Sequence, residues 1–185
     1  TIRLLVERIL PEKHRGKTQV GGELTHQRLV PPRPSSGRHT VYCSPHNEGA
    51  LELIREVEAA CSISIDVSTD AAQMASCDLM LIYLNGKTWT SGDRSEAFAD
   101  EVKTAMSGNA NIPLLLAHEM PSAVDVGATR HSVEFNSFFG STSTPGELIG
   151  MGIYHNVAIA LKGGEWRRTS MAMVAQRLGA TTGPQ

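Results

Sequence analysis

The run Leu79-Met80-Leu81-Ile82-Tyr83-Leu84 most constrains what this chain can fold into. It is unbroken, with Asp78 before it and the turn pair Asn85-Gly86 after it. A strand wet on one face alternates apolar and polar residues. A continuous apolar run of this length marks a strand covered on both faces, as in a parallel sheet. After a polar loop, Phe98, Val102, Ala105 and Met106 recur at the spacing of one helix face. Ser95 is read as the N-cap of that helix, with acidic residues in its first turns where the dipole favours them. The unit is strand, loop, helix. Its loop lies at the carboxyl end of the strand, where open α/β sheets bind ligands.

The same alternation runs through the rest of the chain. Residues 39–43 form a short strand, and a helix over 48–60 places Leu51, Ile54 and Val57 inward. Residues 62–68 alternate and read as a strand. Thr69-Asp70 caps a helix of about two turns over 71–77. Residues 111–119 are another buried-type strand, with Pro113 near its start. Residues 121–144 are irregular, and Phe135, Phe138 and Phe139 pin them to the core. A short helix opens at Pro145, a fifth strand covers 156–161, and a last helix over 166–178 ends at Gly179. Met171, Val174 and Leu178 face inward from it.

The pattern predicts an α/β fold: a five-stranded parallel sheet of order 2-1-3-4-5 with helices on both faces. Residues 1–37 are read as a basic, Pro/Gly-rich N-terminal arm or linker, 38–180 as the domain and 181–185 as a frayed tail. The first ten residues fit a strand or a helix equally. The chain opens on Thr1 and shows no secretory signal, so it is read as a processed chain or a piece of a longer protein.

Charge is unevenly placed. Residues 1–38 hold eight basic against three acidic side chains, and the remainder nine against sixteen. A basic arm beside an acidic body is expected to lie on that body or on a neighbouring chain. The arm has no aromatic side chain to stack on bases and its charges are dispersed, which argues against nucleic acid. No apolar run approaches the roughly 18 residues of a membrane span, although a longer parent protein could carry one. Cys43, Cys61 and Cys77 are odd in number and lack metal-like spacing. They read as buried free thiols in a reducing, cytoplasmic setting.

The topological switch of such a sheet falls between its first and third strands. The exit loops there carry Ser44, His46 and Asn47 from one strand and Asn85, Trp89 and Ser91 from the other, the expected ligand-binding set. His118-Glu119 ends the fourth strand. No metal is called for, since no His/Cys spacing fits zinc. Lys162-Gly163-Gly164 lacks the phosphate-loop pattern and reads as a tight strand-to-helix turn. The absence of Gly-x-Ser-x-Gly argues against a hydrolase triad.

Residues 95–106, in this strand–loop–helix setting, resemble the corresponding segment of TIR-like (Toll/interleukin-1 receptor-like) domains. Glu101-Val102 stands where that family has Glu-Leu, and Ala97-Phe98 where it has an aromatic-Cys pair. The family's long loop after the second strand is cut to Thr69-Asp70. The resemblance implies a flavodoxin-like fold and a protein-interaction or assembly module in signalling, with protein partners or self-association. In the family's NAD-cleaving members a glutamate at the position of Glu101 is catalytic. The alternative it implies is therefore an NAD nucleosidase using Glu101, with NAD as substrate, or a nucleotide sensor without turnover. No tightly held cofactor is expected. The phrases VYCSPHN, CDLMLIYLNGKTWT, AHEMP and ALKGGEWRRTSMAM also resemble a module of long predicted proteins of unicellular algae.

Overall fold

The computed structural model describes residues 29–30, 40–108, 111–122, 130–140, 143–179 and 181–182. Five strands form one parallel sheet: β1 (Thr40–Cys43), β2 (Asp66–Ser68), β3 (Leu79–Leu84), β4 (Leu114–Glu119) and β5 (Ile159–Leu161). Their order is β2-β1-β3-β4-β5, as the alternation predicts. β1 pairs with β3 from Val41 opposite Leu79 to Cys43 opposite Leu81, so the switch point lies between them. All six residues of β3 are buried. Leu79, Leu81 and Tyr83 enter one core, while Met80, Ile82 and Leu84 enter the other. The continuous apolar run thus has a physical cause: alternate side chains fill opposite layers.

The first layer holds α1 (Ala50–Cys61) and α4 (Arg167–Arg177), which pack together over β1 and β3. The second holds α2 (Asp93–Met106), with the short helix α3 (Gly146–Gly150) and the 3-10 turn Phe135–Phe139 beside it. Met171, Val174 and Leu178 are buried as expected, and Gly179 ends the helix with φ of 91°.

Several boundaries differ from expectation. α1 begins at Ala50, after Gly49 in the left-handed region (φ 88°), and buries Leu53, Ile54 and Val57 rather than Leu51. A Cβ on Gly49 would sit 2.6 Å from the Tyr83 ring, so glycine here serves both the turn and the close approach. α2 begins at Asp93, two residues before Ser95. Ser95 is not its cap: its Oγ accepts the Ser91 N–H (2.8 Å) and so closes the preceding loop. The expected helix over 71–77 is a 3-10 turn, Ala71–Ser76, capped by Asp70, whose carboxylate accepts the Ala72 N–H (3.0 Å). β5 starts at Ile159, because Asn156 and Val157 are exposed.

Of the arm, the structure describes Leu29–Val30, which pairs antiparallel with Thr181–Thr182 after the last helix. Readings placed on the remaining residues of the arm fall outside the described residues. Among the described residues no helix is long and apolar enough to cross a membrane.

Candidate functional site

The loops leaving β1 and β3 are tied together by side chains from the expected ligand set. Asn47 Nδ2 donates to the Tyr83 carbonyl (2.9 Å), and the Tyr83 N–H donates to Asn47 Oδ1 (2.7 Å). The amide imitates one more rung between β1 and β3, just past the point where β1 ends. Asn85 donates to the Glu48 carbonyl (2.9 Å) and accepts the Lys87 N–H (2.8 Å). Ser44 Oγ accepts the His46 N–H (3.0 Å), and Ser91 Oγ donates to the Lys87 carbonyl (2.9 Å). Trp89 is buried, stacks on Phe98 with centroids 5.1 Å apart, and donates its indole N–H to Tyr154 Oη (3.1 Å). These residues spend their polar groups on loop geometry.

Glu101 lies beside the loop that leaves β1. It borders the buried face of α2, with its side chain 14% exposed. Its Oε1 is 3.8 Å from Nε2 of His46, a ring at the surface. Its Oε2 is buried and has no hydrogen-bond partner, and the same holds for the hydroxyl of Tyr42 in β1. Burial and then the nearby Glu101 carboxylate push the Tyr42 hydroxyl well above its ordinary range. Of the exit-loop residues read as the ligand set, His46 comes up to Glu101. Asn85 and Trp89 direct their hydrogen bonds elsewhere.

A cleft of about 610 Å³ opens instead on the α1/α4 side of the sheet's carboxyl edge. The turn before α1 supplies Glu48 and Gly49, the first turns of α1 supply Glu52, Leu53 and Glu56, and β3 and its exit supply Tyr83 and Asn85. Arg94, Arg130, His131 and Arg167 complete the lining. Beside it lies Glu119, the last residue of β4, which is 2% exposed. Strand alternation turns Glu119 toward α1 and α4 and its neighbour His118 toward the opposite layer.

Arg167, the first residue of α4, ties these groups together. Its Nε and Nη2 grip both oxygens of Glu56 (2.8 and 2.7 Å), and Nη1 reaches both oxygens of Glu119 (2.9 Å each). Tyr83 donates its hydroxyl to Glu119 Oε2 (2.8 Å), so burial and then the Glu119 charge raise the Tyr83 hydroxyl strongly. Burial pushes the Glu56 carboxyl up, but the Arg167 bonds and charge, helped by Arg130, hold it below the ordinary carboxylate range. Arg130 is tied more loosely, through one bond of 3.3 Å to Glu56 and a 4.0 Å approach to Glu119. Glu48 takes Lys87 (2.9 Å) and Arg94 (3.3 Å), with His131 at 3.7 Å.

Sequence reasoning named Glu119 among strand-exit residues but missed Arg167, Arg130 and Glu56. The signal available was an arginine opening the helix after β5, opposite an acid ending β4. His118 is 4% exposed, bonded through Nε2 to the Val133 carbonyl (2.8 Å) and packed edge-on to Phe135 and Phe138. Trp166 is 58% exposed, and Gly163 lies so close to Ser122 that a Cβ would come within 2.5 Å of its hydroxyl. No group of side chains suited to a metal ion occurs among the described residues. No family model, curated protein or solved structure matches the chain.

Proposed function

We propose that this domain is a TIR-like module that works through association with other protein surfaces and not by turnover. The observation that carries the reading is the placement of Glu101. One of its oxygens is sealed in the protein beside α2, and the 610 Å³ cleft does not include it. Only Thr69 and Asp70 separate β2 from the following 3-10 turn, so no long loop stands there to cover a nucleotide. Large apolar side chains are meanwhile exposed: Phe139 at 52%, Ile149 at 39%, Met151 at 38% and Val157 at 91%. All four fall in one stretch of chain around Tyr154, whose ring lies 5.1 Å from that of Phe139. Four of the six exposed large apolar side chains of the described residues thus fall between positions 139 and 157, and exposed apolar surface there suits a protein partner.

The second reading, NAD cleavage, has its own support. Glu101 Oε2 is a buried carboxylate oxygen with no hydrogen-bond partner, and the His46 ring approaches its other oxygen at 3.8 Å. A carboxylate in that state can stabilise an oxocarbenium-like ribosyl centre as nicotinamide departs. Incubation with NAD at high protein concentration separates the two. We expect no nicotinamide release, together with concentration-dependent self-association in light scattering that Phe139→Glu and Val157→Glu weaken. Release of nicotinamide that disappears in a folded Glu101→Gln variant would replace the first reading with the second.

A further inference from the structure

We propose that the cleft between α1 and the start of α4 binds the zwitterionic head of a free α-amino acid, with Arg130 taking the carboxylate and Glu52 the ammonium group. The inference starts from which charged groups in the cleft are already spent. Arg167 commits four of its five N–H donors to two carboxylates. Glu119 is buried and receives Arg167 and Tyr83. Glu48 is shared by Lys87 and Arg94, and Arg94 also donates to the Pro45 carbonyl (2.9 Å).

Two lining groups keep capacity. Arg130 carries five N–H donors and uses one, at 3.3 Å, toward the described residues. Glu52 is exposed at the mouth and has no partner among the described residues. Both line the same cleft. Glu52 and Glu56 are four residues apart on α1, so their Cβ atoms share one helix face about 6 Å apart, and Arg130 is bonded to Glu56. A donor fork on one residue and a free carboxylate on its helix-face neighbour match a ligand that carries both charges on its head.

Charge balance points the same way. The four carboxylates of the cleft and its edge, Glu48, Glu52, Glu56 and Glu119, stand against four cations, Lys87, Arg94, Arg130 and Arg167. A ligand with net charge would leave one charge uncompensated in a partly desolvated site, whereas a zwitterion would not. A cleft of about 610 Å³ is of small-molecule size, and Leu53 and the Tyr83 ring line it where a ligand side chain could rest.

The full chain is titrated calorimetrically at pH 7 with each protein-forming L-amino acid in turn. Ligands that give saturable heat are then compared with their N-acetyl and carboxamide derivatives. We expect saturable binding by at least one amino acid, and each derivative should bind roughly ten- to a hundredfold more weakly, the effect of losing one charged hydrogen-bonding pair. Arg130→Ala and Glu52→Gln should each produce a loss of the same size. Glu52→Gln alters an exposed side chain, so it reports on binding even if Arg130→Ala perturbs folding. The proposal is overturned if no amino acid binds, if the blocked derivatives bind as well as the parents, or if binding survives Glu52→Gln unchanged. Binding of pyrophosphate or of a simple dicarboxylate in place of amino acids also overturns it.

Discussion

At the scale of single residues, the strongest constraint is Arg167. Its guanidinium meets four carboxylate oxygens, and one of its two partners, Glu119, is almost wholly buried. Arginine suits the task because its planar fork serves two carboxylates from different edges, which a lysine ammonium cannot do. A buried pair of this kind contributes little net stability when formed, since desolvation offsets attraction, but breaking it strands a charge. Arg167→Ala leaves Glu119 and Glu56 facing each other, with Arg130 as the cation among the described residues that still reaches both. We expect a loss of about 3–5 kcal/mol in urea unfolding. Arg167→Lys should recover part of it. A loss below about 1 kcal/mol for Arg167→Ala, the range of exposed pairs, would show that solvent already reaches Glu119.

At the scale of elements, the chain's own pattern made the sheet legible, because each core strand must be apolar on both faces. Leu79–Leu84 and the helical spacing of Phe98, Val102 and Ala105 could be read directly. Element starts were less legible, because they depend on local polar bonds with no periodicity. Ser95 looked like a cap and instead closes the loop from Ser91, and Gly49 decides where α1 begins through its contact with the Tyr83 ring. Asn47 was read as a ligand residue for a sound reason, its place at the switch point. The same place explains its actual role, since β1 has ended there and the Tyr83 N–H and carbonyl need partners. Asn47→Ala would orphan the Tyr83 N–H in a buried setting, while the Tyr83 carbonyl keeps the Thr88 hydroxyl (2.9 Å). One buried donor left unpaired costs about 1–3 kcal/mol, the loss we expect. Hydrogen exchange should show the Tyr83 amide losing protection more than the amides of Leu81 and Ile82. Unchanged protection at Tyr83 would mean that water or the relaxed loop replaces the amide.

At the scale of the whole molecule, both layers carry a group whose charge state depends on folding. The cleft's network joins residues distant in sequence, Glu56, Tyr83, Glu119 and Arg167, so no local window could reveal it. On the opposite face, burial lowers the His118 imidazole below its ordinary value, although the Val133 carbonyl and the charges of Glu119 and Glu134 oppose that shift. For His118 the folded protein holds its proton less tightly than the unfolded chain, whose value is about 6.5. Below that pH the unfolded state binds more protons, so stability falls as pH drops toward the folded value. Glu56 behaves alike in a lower window. Its folded value is depressed below the unfolded value of about 4.3, and its contribution is complete above that value and lost as pH falls through the folded one. The urea midpoint should therefore be highest near neutral pH and decline in two stages, first below about pH 6.5 and again below about pH 4.3. In His118→Asn, which keeps a donor for the Val133 carbonyl but cannot ionise, the upper stage should disappear while the lower one remains. A midpoint that rises between pH 7.5 and 5.5 in the wild-type protein would show that His118 is protonated more readily in the fold than out of it, and that the aromatic packing around it does not exclude the charge.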